Sequence, residues 1–393
     1  MEKEYDVVYL PLHRDMPDYP ASECYWAFSA FMSVSENLNT KAFIGWIGNE
    51  TRDLFKGTNF ETLGIDKNRT IRNDIRFYLK LLINGIKVRQ HTKIIHHFGS
   101  FGYDVGFNPL FLVPFKPRNV KLIVGPILRP AFDDPDILKS LGFVNQLHTY
   151  GKITKKFFSL MHKKTLKNAD VIVFDSIECQ EIYREKYKFI KDKKCLILPG
   201  GGIDPEEFEF ALKRNVHAPV VIGIATNLIR RKNIDKIIRS MKKIDDNFIL
   251  RICGDGPEKE NIRQLVKDLN LENRVVLEGR RNHNELPKFY KEIDYFAALD
   301  QNPSEIKASL QEALMCGTPC ISGVLSTDDS FKCEEWGILV NPESEKSMVG
   351  GFGYLLGKKD QIEKLSQFSR EFALRNFSTS SIRDNILKIY DLG

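Results

Sequence analysis

The residues whose types and spacing are best suited to binding or catalysis lie between Ser304 and Ile321, in the segment SEIKASLQEALMCGTPCI. The pattern predicts a loop, a short amphipathic helix, a turn at Gly317-Thr318-Pro319 and a buried strand. Two acids, Glu305 and Glu312, flank the start of the helix. The first amide groups of a helix bind anions, and a carboxylate one turn further in accepts hydrogen bonds from hydroxyls. This arrangement suits a ligand that carries both phosphate and sugar hydroxyls, which is the chemical description of a nucleotide sugar.

A second candidate group is the basic cluster Arg230-Arg231-Lys232-Asn233, which follows the apolar run Val220–Ala225 and precedes a helical pattern. Cations at the end of a strand would face a leaving diphosphate and stabilise its charge as a bond breaks. Basic clusters on loops are usually solvated surface, so the position at a strand end is what favours a functional role for Lys232.

The composition predicts a soluble protein with two domains. A chain of 393 residues, of which 42% are apolar and 28% charged, exceeds what one hydrophobic core usually serves. The N-terminus does not have the pattern of a secretory signal, and no apolar run approaches the roughly 18 residues of a membrane span. Basic and aromatic residues do not alternate as in nucleic-acid-binding modules, so nucleic acid is not an expected partner. We therefore expect a cytoplasmic protein.

The seven cysteines are odd in number and scattered along the chain. They are Cys24, Cys179, Cys195, Cys253, Cys316, Cys320 and Cys333. Two of them bracket the Gly-Thr-Pro turn, but no second pair stands at the spacing of a zinc site. We therefore predict reduced thiols in the core and no metal site.

The net charge of +6 is unevenly distributed, with six lysines and no acid between residues 152 and 167. These lysines alternate with apolar residues such as Phe157, Leu160 and Leu166, so a helix here would be amphipathic and basic. Such a helix is typical of a segment on an anionic membrane surface, although an ordinary surface helix fits the pattern equally well. Peripheral membrane contact through residues 152–167, at the inner face of the membrane, is one expectation.

Residues 219–341 alternate short β-rich apolar runs with longer amphipathic runs. The predicted strands are Val220–Ala225, Phe248–Cys253, Arg274–Leu277, Tyr295–Leu299, Cys320–Ser322 and Gly337–Val340. The predicted helices are Ile234–Ile244, Pro257–Leu269, Glu285–Glu292 and Ser309–Met315. Strands that alternate with helices indicate βαβ units and therefore a parallel, doubly wound sheet.

The N-terminal half repeats this alternation with longer loops, notably 98–119 and 128–142. The predicted strands are Val7–Leu10, Ala42–Ile47, Ile94–Phe98, Leu122–Val124, Val171–Phe174 and Cys195–Leu198. The predicted helices include Ala21–Val34, Ile71–Ile86 and Thr154–Asn168. Long loops on a rigid sheet commonly carry specificity for a variable substrate.

Three segments together resemble one known family. Glu312-Ala-Leu-Met-Cys-Gly-Thr-Pro319 resembles the Glu-Ala-x-x-x-Gly-x-Pro signature of family 4 glycosyltransferases, which are of the group 1 type. Leu198-Pro-Gly-Gly-Gly-Ile-Asp-Pro205, followed by Phe208, resembles the linker of that family, and Asn376–Tyr390 resembles its C-terminal helix. The resemblance covers residues 196–393 and extends only loosely to the N-terminal half.

The resemblance implies the GT-B fold, with two Rossmann-like doubly wound domains facing across a cleft. Residues 1–198 would form the acceptor-side domain, which a C-terminal helix at about 377–393 would complete. Residues 199–205 would be the linker, and residues 206–376 would bind the nucleotide sugar.

The resemblance also implies roles for individual residues. Lys232 aligns with the lysine of the Gly-Arg-Leu-x-x-x-Lys-Gly motif of the family, which neutralises the leaving diphosphate. The arginine of that motif falls at Asn227. Either Arg230 or Arg231 takes its place, or the phosphate site is weaker. Glu312 aligns with the acid that accepts hydrogen bonds from the ribose hydroxyls.

The family acid that contacts the sugar falls at Ser304, and Glu305 follows it directly. Either the loop is one residue shorter and Glu305 takes this role, or the role is lost. Further candidates for the donor site are the amides at the helix start, the Gly-x-Gly-Pro turn and a basic residue near the base. They are Ala308, Ser309, Leu310, Gly254 and Arg281.

In the N-terminal half, His97 and His13 are the candidates for the acceptor side, because each stands near the end of a predicted strand. A lone buried histidine is more often structural than functional.

The implied activity is transfer of a sugar from a nucleoside-diphosphate sugar, UDP- or GDP-linked, to a glycan or lipid-linked acceptor with retention of configuration. The nucleotide sugar would be a substrate, and no metal or other cofactor is expected. Two alternatives remain open at this point. The chain could be a non-catalytic partner or regulatory protein of the same fold, or a sugar-nucleotide epimerase.

Overall fold

The computed structural model of the protein describes residues 4–16, 22–66, 71–98, 106–127, 144–214, 219–244, 247–300, 308–323 and 331–390. The chain divides into two compact units. Unit 1 comprises Met1–Gly202 and Ile382–Gly393, and unit 2 comprises Ile203–Ser381. The division falls within the Gly/Pro-rich segment that resembles a linker.

Unit 1 is built around a parallel sheet. Its strands are β1 (Tyr5–Met16), β2 (Thr40–Ile47), β3 (Phe60–Thr62), β4 (Thr92–His97), β5 (Lys121–Ile127), β6 (Val171–Phe174) and β7 (Lys194–Ile197). Within the described residues these form a seven-stranded sheet in the order β3-β2-β1-β4-β5-β6-β7. Every neighbouring pair is parallel. The order reverses direction at β1, as in a doubly wound sheet.

Helices cover both faces of this sheet. They are α1 (Ser22–Ser35), α2 (Asn49–Leu54), α3 (Ile71–Val88), α4 (Val144–Asn168), α5 (Ile177–Lys186) and the larger part of α12 (Thr379–Tyr390). Successive residues of a strand point to opposite faces. Val7 and Tyr9 accordingly join one core with α1 and α12, whereas Val8 and Leu10 join the other core with α3.

Unit 2 has a second sheet of the same kind. Its strands are β8 (Val220–Ala225), β9 (Phe248–Cys253), β10 (Val275–Gly279), β11 (Tyr295–Ala298), β12 (Cys320–Gly323), β13 (Phe331–Glu334) and β14 (Gly337–Val340). In the described part of the chain they form a seven-stranded sheet in the order β10-β9-β8-β11-β12-β14-β13. All pairs are parallel except β13 with β14, which is antiparallel.

The helices of unit 2 again lie on both faces. They are α6 (Ile234–Met241), α7 (Lys259–Asp268), α8 (Leu286–Glu292), α9 (Ala308–Met315), α10 (Glu345–Gly357) and α11 (Ile362–Phe377). Ile222 and Ile224 of β8 pack with α6, α7 and α10 in one core. Phe296 of β11 packs with α8, α9 and α11 in the other core.

The prediction of alternating strands and helices is confirmed, and three strands of unit 2 have the predicted bounds: β8, β9 and β14. The prediction was wrong at the first strand, which does not end at Leu10 but continues to Met16. Polar residues interrupt the apolar run there, yet pairing with β2 buries them. The short strands β3 and β13 also lie outside the predicted set, because a strand of only three or four residues carries little periodicity.

The cysteine prediction needs one correction. Cys179, Cys253, Cys316 and Cys320 are free and buried, whereas Cys333 is free but exposed. Cys333 lies on β13, whose described residues 332–334 are all exposed, so it is not a core thiol. In the described part of the chain, no helix is both long and apolar enough to cross a bilayer.

A buried polar chain anchors α12 in unit 1. The Nε2 atom of His96 lies 2.8 Å from the carbonyl oxygen of Gly125, and its Nδ1 atom lies 2.7 Å from the hydroxyl of Tyr390. The hydroxyls of Tyr390 and Tyr9 lie 2.9 Å apart. Burial lowers the pKa of His96 to about 3, so the ring is neutral. Its Nε2–H therefore donates to Gly125, and Nδ1 accepts from Tyr390.

We predict that Tyr390→Phe lowers the free energy of unfolding by about 1–3 kcal/mol, because Nδ1 of His96 and the hydroxyl of Tyr9 are left buried without this partner. Urea denaturation followed by circular dichroism measures the change. Tyr5→Phe, which removes the hydroxyl of a half-buried tyrosine in the same unit, is the matched control. Equal stability of the two variants would contradict the anchoring role.

Candidate functional site

A pocket opens at the carboxyl ends of β8 and β11 in unit 2. These two strands are neighbours, and the strand order reverses between them, which is where doubly wound sheets bind ligands. The pocket is open to solvent, and its cavity volume is about 20 Å³. Its polar lining consists of Thr226, Lys232, Asp300 and Ser309, and strand residues form its apolar floor.

The basic cluster forms a short 3₁₀ turn at Arg230–Lys232. Asn233 ends the turn in the left-handed conformation, with φ of 53°, and is fully buried. Its side-chain amide donates to the carbonyl of Leu299, at a distance of 2.9 Å. This bond attaches the basic turn to the end of β11, so the cations are held by the sheet rather than by a loose loop.

Lys232 and Arg231 converge on one buried acid. The Nζ atom of Lys232 lies 2.7 Å from Oδ2 of Asp300, and an Nη atom of Arg231 lies 3.4 Å from the same oxygen. Asp300 itself is only 4% exposed. Among the described residues, two cations therefore converge on one carboxylate beside the pocket. Arg230 is exposed at the start of the turn.

Helix α9 brings the signature segment to the same pocket. Ser309, in its first turn, lines the pocket, and Ala308 and Leu310 flank it. Amide groups in a first helical turn have no acceptor within the helix, which favours anions there. Three predicted donor-site residues are thus at the helix start, next to the pocket with Lys232. Ser304 and Glu305 lie outside the described residues.

The Gly-x-Pro part of the signature ends α9. The amide of Thr318 donates to the carbonyl of Ala313, and that of Gly317 to the carbonyl of Leu314, both at 2.9 Å. This pair of bonds is a Schellman motif, which requires a left-handed residue at Gly317, where φ is 79°. Pro319 then prevents continuation of the helix. The matching Gly and Pro therefore have a structural explanation, independent of any ligand.

Glu312 lies one turn inside α9 and is buried. Its Oε2 atom accepts a hydrogen bond of 2.7 Å from the hydroxyl of Tyr290. Its Oε1 atom lies 3.1 Å from Nε2 of His283. Each carboxylate oxygen has two acceptor directions, so these two bonds fix the side chain and leave acceptor capacity for hydroxyls of a ligand.

His283 stands between two acids. Its Nε2 atom faces Glu312, and its Nδ1 atom lies 3.4 Å from an oxygen of Glu207. Burial alone lowers the pKa of His283, but hydrogen bonds with Glu207 and Glu312 and the charges of both acids raise it to about 10. The imidazolium form donates from both nitrogens, so the charged ring of His283 donates to Glu207 through Nδ1 and to Glu312 through Nε2.

Two other predicted donor-site residues have structural partners. Gly254 follows β9 with φ of 154°, and a Cβ atom there would lie 1.9 Å from the carbonyl oxygen of Thr226. Glycine is therefore needed for close approach of the backbone. Arg281 donates to Glu278 at 2.6 Å and stacks over the ring of Phe289. Neither residue is part of the pocket lining, and their contacts with a donor stay predictions.

The acceptor-side candidates are both in unit 1. His13 lies in the last part of β1, and its Nδ1 atom is 2.8 Å from the carbonyl oxygen of Asp15. His97 is the last residue of β4, which pairs with β1. Both rings are buried. Their strands are neighbours and end at the same edge of the sheet, as predicted for residues that meet a ligand, but their role stays a prediction.

Sequence reasoning missed Asp300, Tyr290 and His283. Asp300 had a usable signal, because it is the first acid after β11 and therefore lies at the same sheet edge as Lys232. Tyr290 and His283 had none, since only the fold brings them to Glu312. Among the described residues, no group of three or more His, Cys, Asp or Glu could hold a metal ion.

Three comparisons with known proteins agree with this architecture. Residues 205–372 match the family Glycosyl transferases group 1. One relative is the N-acetylgalactosamine-N,N'-diacetylbacillosaminyl-diphospho-undecaprenol 4-alpha-N-acetylgalactosaminyltransferase of Campylobacter jejuni, to which the chain is 27% identical over 254 residues. The aligned region covers 63% of this chain and 66% of that protein. The chain is 25% identical to an uncharacterized glycosyltransferase of Methanocaldococcus jannaschii, over 93% of this chain and 86% of that protein.

Among solved structures, HepE of Anabaena in complex with UDP superposes with a TM-score of 0.66, at 13% identity, over 98% of this chain and 99% of that one. The fold class is GT-B, as predicted, and the chain is a glycosyltransferase, an enzyme that transfers sugars. The match to the group 1 glycosyl transferases covers residues 205–372, which is less than half of the chain. The narrower assignment of the chain to family 4 stays a prediction.

We predict that Lys232→Ala lowers the free energy of unfolding by about 1–3 kcal/mol, because it removes the nearer cation from a buried carboxylate. The double variant Lys232→Ala/Asp300→Ala should recover part of this loss, since the buried carboxylate that lost its nearer cation is then absent. Urea denaturation of all three variants gives the coupling energy.

The control for this cycle is Lys236→Ala, which breaks the exposed pair of Lys236 with Glu343 and should cost at most about 1 kcal/mol. If Lys232→Ala costs no more than this control, the buried pair does not hold the basic turn.

We predict that His283 stays protonated in the folded protein up to about pH 9, because its pKa is raised from 6.5 to about 10. The stabilisation from its pairing is fully present below about pH 6.5 and is lost as the pH rises through about 10. Imidazole nitrogen shifts measured by NMR against pH test this. Glu207→Gln should lower the pKa of His283. Deprotonation of His283 near pH 6.5 in the native protein would contradict its pairing with the two acids.

Proposed function

We propose that the chain transfers a sugar from a nucleoside-diphosphate sugar, UDP- or GDP-linked, to a glycan or lipid-linked acceptor with retention of configuration. One observation carries the donor part of this proposal. Lys232 and Arg231, held on Asp300, meet the start of α9 at the switch point of the sheet, and Glu312 lies one turn further along the helix. A diphosphate fits the cations and amides, and ribose hydroxyls fit the carboxylate.

In the proposed reaction, the bond between the anomeric carbon and the diphosphate oxygen breaks, and its electron pair leaves with the diphosphate. Lys232 and Arg231 stabilise this charge, with Arg230 as a further cation at the mouth of the turn. The acceptor hydroxyl attacks the same face of the sugar, and its proton passes to the leaving diphosphate. Protein cations supply the positive charge, so the proposal involves no metal and no protein nucleophile.

Glu305 is the residue proposed to contact the transferred sugar. It follows directly after Ser304, where the family carries its acid, and its replacement by glutamine tests the role. A loss in turnover with unchanged nucleotide binding would support it, since nucleotide binding depends on other residues.

Names of similar proteins support the donor and acceptor classes. HepE of Anabaena is known in complex with UDP, and the Campylobacter jejuni relative takes its name from an acceptor on diphospho-undecaprenol. A uridine nucleotide and a lipid-linked acceptor are therefore the first choices to test.

A lipid-linked acceptor would place the enzyme at the inner face of the membrane. The proposed contact runs through residues 152–167, where Lys156, Lys163, Lys164 and Lys167 are exposed on α4. That helix contains no acidic residue over its 25 positions. Anionic lipid headgroups attract such a surface, and each basic residue near the membrane contributes about 1 kcal/mol.

We predict that one nucleoside diphosphate among UDP, GDP and ADP raises the melting temperature by a few degrees, since a ligand at about a hundred times its Kd adds about 2.7 kcal/mol. The shift should be lost in Lys232→Ala and strongly reduced in Glu312→Gln. Thermal unfolding with each nucleotide and its common sugar conjugates measures this.

Lys236→Ala controls for loss of a lysine in the same unit. An equal nucleotide-induced rise in melting temperature in Lys232→Ala and Lys236→Ala would contradict the placement of the donor site at the pocket. When the nucleotide is known, transfer or hydrolysis of the labelled sugar conjugate measures catalysis, and product analysis separates transfer from epimerisation.

A further inference from the structure

Helix α3 in unit 1 carries a row of exposed aliphatic side chains. Ile75, Leu79 and Ile83 are 54%, 53% and 51% exposed, and Ile86 is 38% exposed. Their spacing of four, four and three residues places them along one side of the helix. The opposite side is buried, with Phe77 and Leu81 in the core of unit 1. We call the four exposed residues the α3 stripe.

One further exposed apolar residue follows an element that packs against α3. Helix α3 packs against the 3₁₀ turn Pro109–Phe111, where the side chain of Leu110 approaches Gly85 of α3. Directly after this turn, Val113 is 76% exposed. Val113 is therefore an exposed apolar residue close in sequence to an element that packs on α3.

An aromatic cluster joins α3 to the basic helix α4. The rings of Tyr78 and Phe107 stack with centroids 4.0 Å apart. Phe158 of α4 lies 6.1 Å from Tyr78, and Phe157 lies 6.5 Å from Phe107. The exposed apolar row of α3 and the exposed lysines of α4 therefore belong to neighbouring elements of one unit.

The charged residues of α3 are basic except for one acid. Arg72, Arg76 and Lys87 are exposed on α3 itself. The single acid of α3, Asp74, binds Arg14 at 2.7 Å. Together with the acid-free helix α4, this gives an apolar row between basic residues, the arrangement that binds an anionic lipid interface.

We infer that the α3 stripe, with Val113, is an apolar docking surface for an anionic lipid bilayer. The aliphatic side chains enter the headgroup boundary, and the flanking arginines and lysines contact lipid phosphates. A second copy of the chain is a poorer occupant, because it would bring the same basic border against itself. The inference deepens the proposed membrane contact of residues 152–167, which supplies charge but has few exposed apolar side chains.

The test is co-sedimentation of the full chain with vesicles of phosphatidylglycerol and phosphatidylcholine, against vesicles of phosphatidylcholine alone. The stripe variant Leu79→Ser/Ile83→Ser should lower partitioning into anionic vesicles about tenfold, since it removes two side chains that the bilayer buries. Val276→Ser/Leu374→Ser, which changes two exposed apolar residues of unit 2, should partition like the unmodified protein. Circular dichroism confirms that both variants are folded.

The variant Lys163→Gln/Lys164→Gln distinguishes lipid binding by the α3 stripe from lipid binding by the lysines of α4. If only the lysine variant loses binding, the α3 stripe is not a docking surface, although α4 still contacts lipid. If the stripe variant leaves vesicle binding unchanged but converts a dimer to a monomer in sedimentation, the occupant is a second copy and the inference is wrong. The nucleotide-induced melting shift should be equal in all variants, so a failure of the donor site would be recognised separately.

Discussion

The direction of parallel strands is the constraint on which the candidate donor site depends. Parallel strands end at one edge of a sheet, and a reversal of strand order opens a gap between the helices that follow them. In unit 2 this gap lies between β8 and β11. The turn after β8 supplies Lys232, the end of β11 leads to Asp300, and the helix after β11 supplies Ser309. Three segments distant in sequence therefore meet without any special local signal.

Burial of two carboxylates is the second requirement, and each is satisfied differently. Asp300 is balanced by Lys232 and Arg231. Glu312 is held by a neutral hydroxyl donor, Tyr290, and by one cation, His283. Unpaired buried charge is costly, so these partners fix both side chains before any ligand binds. Lys232 and Asp300 line the pocket, whereas Glu312 lies further along α9.

Local patterns were sufficient to predict the sheets, because buried parallel strands are continuous apolar runs such as β8. The Gly317 turn was also predictable, since a left-handed residue and a following proline end a helix. The individual pairs in the site were not predictable, although the position of Asp300 after β11 indicated its sheet edge. Lys232 and Asp300 are 68 residues apart, and Tyr290 and Glu312 are 22 apart. Their pairing follows from the order of strands in the sheet, which no short segment encodes.

The two sheets have similar topology but differ in the charge at their carboxyl edges. At the end of β1, Arg14 is enclosed by Asp15 at 2.5 Å and Asp74 at 2.7 Å, so one cation faces two acids. At the corresponding edge of unit 2, two cations share Asp300. A diphosphate is repelled by the first arrangement and attracted by the second. This difference in charge between the two edges is one observation that favours unit 2 for the proposed binding of the nucleotide.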